Sequence, residues 1–423
     1  MSIHQESSNN KITSNPLLPT PLRLINSLGV ISKKAGISLA PIKIDSVIQS
    51  AIKKTKTNNT DTDLSYLFKP LENLINSLNE TNQLNLTGRV FTKQLLIDQI
   101  SNRIRIDAEL KARPEILDEK IEKPIFILGF PRTGTTLLHN LLSQSSGYRF
   151  PYMWETLCPS IYPDARKGYS KDRIANAVKV VKFIDYVNPQ LKSIHPLYPE
   201  GPDECLKLIE SSFTAPHIPL YFHTPQYWDW FKAQQKDKLR AVYARYKQQL
   251  QLLQWHRPQD TWVLKTPIHL YFLPELLDTF PDARIIQLHR DPYKVTASFC
   301  SLVAACRSLY SDIINMEEIG QFVMDFMTLS TKRAMEAENS NSTHSFCHVN
   351  YTSLISHPEK EIMGIYKQLG LTYTSAIEEG ITRWISSNPK GKHGTHNYSL
   401  EQYGLSEQIV DDNLQDYSDK YLV

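Results

Sequence analysis

The stretch KPIFILGFPRTGTTLLHNL, residues 124 to 142, constrains the fold of this chain more than any other. Ile125 to Leu128 is an apolar run too short for a helix and bounded by Pro124 and Gly129, which reads as a strand buried on both faces of a parallel sheet. In Gly129-Phe130-Pro131-Arg132-Thr133-Gly134-Thr135-Thr136 two glycines frame a basic turn, and Leu137, Leu138, Leu141 and Leu142 then mark a helix running back over the sheet. Backbone N–H groups at such a helix start, with its dipole, form an anion site. Gly134 lets the backbone approach the anion, and the Thr135 and Thr136 hydroxyls supply donors. The glycines have Walker spacing, but Thr135 stands where a triphosphate loop needs lysine. The cation is Arg132, whose planar fork suits a set of anionic oxygens inside the loop. That substitution counts against a kinase using ATP and Mg²⁺, one of two competing readings; the other is a non-catalytic nucleotide-binding scaffold.

A second anchor lies downstream. Thr261 to Leu264, then Lys265-Thr266-Pro267, a helix through Leu273, Leu276 and Leu277, the turn at Pro281 and the strand Arg284 to Leu288 spell a parallel βαβ unit. Asp291 and Pro292 supply an N-cap and a first helical position for Tyr293 to Cys306. Arg290 ends a strand at the edge where open α/β sheets bind ligands, and Ser298 follows two turns along the helix. Together they would clamp one phosphate.

With both motifs in order, the chain resembles the PAPS-dependent sulfotransferase family, over about residues 122 to 405. Its 5′-phosphosulfate loop has a Pro, a basic residue, Ser or Thr, then Gly-Thr-Thr. Its 3′-phosphate motif pairs an arginine after a strand with a serine on the next helix. The resemblance implies transfer of a sulfuryl group from 3′-phosphoadenosine 5′-phosphosulfate (PAPS) to a hydroxyl of a small-molecule or glycan acceptor, with no metal expected. It implies donor contacts from Pro131, Arg132, Thr133, Gly134, Thr135, Thr136, Arg290 and Ser298. Lys390, Lys392, His393 and Gly394, in a late basic loop similar to the bacterial variant ending in Tyr-Ser-Leu, are expected to close over the nucleotide. Arg132 in place of lysine points away from the cytosolic phenol and steroid enzymes, and the lack of an apolar anchor points away from the Golgi-resident ones. The likeness is to the soluble bacterial branch.

Transfer needs a base for the acceptor proton and cations for the charge on the bridging oxygen. Arg132 is expected as the clamp and Lys265 as a second cation. Glu155 is the first choice of base, at the distance where tyrosylprotein-type enzymes place a catalytic glutamate, with Tyr152, Met153 and Trp154 providing an apolar surround that would raise its pKa. His195, His269 and Glu204 are the other candidates. An aromatic run between them, including Phe213, His217, Phe222, Tyr227 and Trp228, reads as an acceptor wall.

The expected architecture is an α/β, P-loop-type central parallel sheet flanked by helices. A flexible lead over residues 1–20 and a helical extension over 21–120 precede a catalytic domain over 121–423, which carries a helical and aromatic insert at about 160–255. The extension is a candidate homo-oligomer interface, and from Asn388 onward the sequence reads as a polar loop. A net charge of +3 with 22% charged residues gives no footprint for nucleic acid. The five cysteines have no metal spacing. No export leader or membrane span is legible, and a cytoplasmic enzyme is expected.

Overall fold

The computed structural model describes residues 11–12, 18–37, 39–55, 63–160, 171–189, 196–258, 261–341, 343–388 and 399–422. Five strands, Ile125–Leu128 (β1), Tyr148–Arg149 (β2), Thr261–Lys265 (β3), Arg284–His289 (β4) and Ser345–Asn350 (β5), form one parallel sheet in the order β2-β3-β1-β4-β5. Strand β1 is central. The chain leaves it toward β2 on one side and later builds β4 and β5 on the other, so the carboxyl end of β1 is the switch point at which ligands bind in such sheets.

The period-two alternation of each strand divides two cores. Ile125 and Ile127 of β1, Val263 of β3 and Ile286 and Leu288 of β4 face one side, where Leu138, Leu141 and Leu142 of the returning helix cover them. Phe126, Leu128, Leu264 and Ile285 face the other. That second core takes in Leu67, Leu71, Leu74 and Leu78 of the helix Ser65–Thr81, so the N-terminal region shares the core on that side of the sheet. The N-terminal helices are Thr20–Lys34 (α1), Ile44–Thr55 (α2), Ser65–Thr81 (α3) and Leu86–Ala112 (α4). Asn85 caps α4, its side chain accepting from the Gly88 N–H at 2.7 Å.

Strand β2 is two residues long, and Met153–Leu157, just after it, is a short helix. Two local expectations differ from the structure. Phe213, Phe222, Tyr227 and Trp228, read as an acceptor wall, are core residues buried with Phe231 and Phe272. The stretch after Asn388 contains a helix, Glu407–Tyr421, whose Val410, Leu414 and Tyr417 are buried at helical spacing among otherwise charged residues.

Candidate active site

The loop after β1 turns through three residues of positive φ: Gly129 at +149°, Arg132 at +73° and Gly134 at +93°. At Gly129 a Cβ would sit 2.7 Å from Thr133 Oγ1 and 2.9 Å from the Leu288 carbonyl, so only glycine brings β1 this close to β4. Gly134 caps the helix Thr135–Leu142, and a Cβ there would meet the Tyr351 ring at 2.9 Å. Arg132 has no such exemption, and its left-handed backbone stores about 1–2 kcal/mol of strain. The surroundings hold it there. Arg290 Nη1 donates to the Arg132 carbonyl at 2.6 Å, and Arg132 Nε donates to Ser298 Oγ at 3.3 Å. Thr133 is buried, and its hydroxyl is committed to the Phe130 carbonyl at 2.7 Å, which leaves the Thr136 hydroxyl as the exposed one.

Two motifs more than 150 residues apart therefore meet. Asp291 accepts from the N–H groups of Tyr293 and Lys294 at 2.9 and 3.4 Å, and Pro292 opens the helix Pro292–Arg307 that carries Ser298 inward. The Arg290 guanidinium lies 4.1 Å above the ring of Tyr351, the residue that follows β5. The backbone N–H of Arg290 donates to Tyr417 Oη at 3.3 Å.

Lys265 ends β3, paired in register with Ile127 of β1. It shares the face of Val263, two residues earlier, and so reaches the start of the loop helix. Its Nζ donates to Thr136 Oγ1 at 3.0 Å and to Glu204 Oε1 at 2.5 Å. Glu204 is pinned from both sides along the chain. The Asp203 N–H donates to the Pro151 carbonyl at 2.8 Å, and the Cys205 N–H donates to the Lys265 carbonyl at 3.0 Å. Thr266 Oγ1 donates to the second carboxylate oxygen of Glu204 at 3.3 Å.

The surroundings of Glu155 are not apolar as its sequence neighbours suggest. Arg149, at the end of β2, grips it with two nitrogens at 2.7 and 2.9 Å. Arg257 adds contacts at 3.4 Å, and the Tyr152 N–H donates at 2.9 Å. Both oxygens are taken by a buried, bidentate clamp that ties β2 to the helix Met153–Leu157. His269 is likewise enclosed. Its Nδ1 lies 2.5 Å from Tyr243 Oη, and burial pushes its pKa down to about 3, so it is neutral. His195, Lys390, Lys392, His393 and Gly394 lie outside the described residues.

Sequence reasoning missed Arg149, Arg257, Tyr351 and Tyr417. Tyr351 had a signal, since it directly follows a strand at the ligand edge. Tyr417 had none, because its approach to Arg290 is a contact across 127 positions.

Comparison with known proteins gives a consistent result. A profile described as "Sulfotransferase family" matches residues 124–375. The omega-hydroxy-beta-dihydromenaquinone-9 sulfotransferase Stf3 of Mycobacterium tuberculosis is 25% identical over 312 residues, which are 71% of this chain and 75% of that protein. The crystal structure of sulfotransferase STF9 from Mycobacterium avium superposes with a TM-score of 0.79 at 25% identity, covering 90% of this chain and 96% of that one. For sulfotransferase STF1 from Mycobacterium tuberculosis the TM-score is 0.73 at 26% identity, with 89% and 99% covered.

Proposed function

This chain belongs to the sulfotransferase family, and on that premise we propose that it transfers the sulfuryl group of PAPS to the hydroxyl of a small, apolar alcohol. The observation that carries the reading is the meeting of Arg132, Thr136, Lys265, Glu204, Arg290 and Ser298 along the carboxyl edge of the sheet. The loop N–H groups, Arg132 and the Thr136 hydroxyl hold the 5′-phosphosulfate. Arg290 and Ser298 hold the 3′-phosphate. Helices before residue 120 buttress the sheet as an extension of one catalytic unit.

Chemistry then divides among Lys265 and Glu204, already in contact, and Arg132 of the loop. The acceptor oxygen attacks sulfur while the bond from sulfur to the 5′-phosphate oxygen breaks, releasing 3′-phosphoadenosine 5′-phosphate. Negative charge builds on that leaving oxygen, where Arg132 and the Lys265 ammonium stabilise it. Glu204 takes the acceptor proton. We assign it the base role because Lys265 links it to Thr136 of the loop, whereas the partners of Glu155 are Arg149, Arg257 and the Tyr152 N–H, and His269 is enclosed. The apolar acceptor class rests on the hydroxylated menaquinone in the name of the Mycobacterium relative.

Calorimetric titration tests the donor site: the bisphosphate product should bind without added metal, and ATP with Mg²⁺ should not compete. Turnover of radiolabelled PAPS with a panel of long-chain and isoprenoid alcohols then tests transfer. Glu204→Gln should keep bisphosphate affinity and lose about 10²- to 10⁴-fold in kcat, as expected for a general base. Full activity in that variant, or binding of ATP alone, would sink the assignment.

A further inference from the structure

Helix α1 is mounted with its apolar side outward. Its inner contacts are polar and small: Asn26 is buried, its Oδ1 accepting from the Thr87 N–H at 3.0 Å and from the Thr87 hydroxyl at 2.9 Å. Gly29 fits so closely over α4 that a Cβ there would lie 2.7 Å from Leu86 Cβ. On the opposite side Leu24, Leu28 and Ile31, spaced i, i+4 and i+7, are 64%, 60% and 64% exposed. Ile25 and Val30 flank this stripe, and Ile37 and Leu39 continue it past the helix, all of them exposed. A scattered exposed leucine needs no explanation, but seven large apolar side chains within sixteen residues form a patch of the kind that marks an interaction surface.

Charge identifies the partner. From Ser7 to Ile44 there is no aspartate or glutamate, while Lys11, Arg23, Lys33, Lys34 and Lys43 contribute +5, against a net +3 for the whole chain. Arg23 and Lys34 are exposed on α1 itself, while Lys33, seven residues after Asn26, donates to the Asn82 carbonyl at 3.1 Å. A second copy of this chain, related by a two-fold axis, would set this stripe of cations against an identical one with no carboxylate on α1 to offset it. An anionic lipid surface offers the complement on both counts, with headgroups for the cations and the acyl boundary for Leu24, Leu28 and Ile31.

We infer that α1 is an interfacial docking element that lies in the plane of an anionic membrane and seats the enzyme on it without crossing. No helix among the described residues is long and apolar enough to span a bilayer, so the attachment is peripheral and reversible. The test is co-sedimentation of the full chain with vesicles of phosphatidylcholine alone and with vesicles containing about 30% phosphatidylglycerol, at low and high salt. The protein pellets with the anionic vesicles and is released as salt is raised. The triple variant Leu24→Ser, Leu28→Ser, Ile31→Ser partitions about 100-fold more weakly. Arg23→Glu with Lys34→Glu loses the preference for anionic lipid. Unchanged bisphosphate binding by calorimetry shows that both variants are folded.

Three outcomes overturn the proposal. The wild-type protein does not sediment with anionic vesicles, the triple variant sediments as well as the wild type, or ultracentrifugation reveals a lipid-free dimer that the triple variant disperses. The last would assign the face to a second copy.

Discussion

Replacing Glu155 by glutamine separates a structural clamp from a catalytic base. Arg149 is fully buried and its guanidinium stacks 4.3 Å from the Trp262 ring, so it cannot turn to water when its partner is lost. Burial pushes Arg149 down to about 10 even with Glu155 beside it. Arg257 is partly exposed and can rehydrate. The loss therefore concentrates on one buried cation, and breaking such a pair from one side costs about 3–5 kcal/mol. At about 2.1 cal/mol/K per residue over 423 residues, that corresponds to a melting temperature lower by about 3–6 °C. Removing both charges with Arg149→Met and Glu155→Leu should recover most of the loss, since no orphaned charge remains. The assay is thermal unfolding of the wild type and the two variants, paired with bisphosphate titration and turnover. An unchanged melting temperature with turnover reduced about 10²-fold or more would refute the clamp and return Glu155 to the role of base.

Other expectations follow from single contacts. Arg290→Ala should weaken bisphosphate binding by about 10- to 100-fold, the value of a charge-assisted bond, and weaken a nucleotide lacking the 3′-phosphate by less, through the lost bond to the Arg132 carbonyl, in the same titration. Gly134→Ala places a methyl 2.9 Å from the Tyr351 ring at a φ of +93°, so it should lower stability by about 1–3 kcal/mol in urea unfolding and also weaken 3′-phosphate binding, because Tyr351 carries the Arg290 guanidinium. Glu210 is buried, which raises its pKa to about 7 despite Lys207 nearby. Its folded-state proton is held more tightly than the unfolded chain's, so its contribution is complete below about pH 4.5 and is lost as pH rises to about 7. Glu210→Gln should remove that slope, gaining roughly 3 kcal/mol at pH 8 relative to pH 5 in paired denaturation curves.

What the sequence disclosed was local and what it hid was pairwise. The loop from Gly129 to Thr136 was legible because its glycines and its cation lie within eight residues, and the strand at Arg284 because its turn, apolar run and N-cap are contiguous. The partners of those local features were not. Nothing near Glu155 announces Arg149 and Arg257 as its ligands, since β2 has two residues and Arg257 ends a helix 102 positions later. The aromatic run from Phe213 to Trp228 carries no mark distinguishing pocket from core, because either use selects the same residues. Helix Glu407–Tyr421 was missed because three buried positions in a charged stretch give a faint periodicity. Glu204 and Lys265 were each candidates, but their contact depends on the strand register that sets Lys265 beside Ile127.

The bond from the Arg290 N–H to Tyr417 bears on how the protein matures. Strand β4 and its arginine emerge during synthesis 127 residues ahead of the hydroxyl that receives that N–H. At about 5–20 residues per second, roughly 6 to 25 seconds separate the two events. A nascent chain arrested at residue 400 holds the phosphate loop, Lys265, Ser298 and Arg290, but not the helix that braces the end of β4. Such a chain would carry the side chains of the proposed nucleotide site before the hydroxyl that braces the end of β4 arrives, so the geometry around Arg290 is complete only once Tyr417 has emerged.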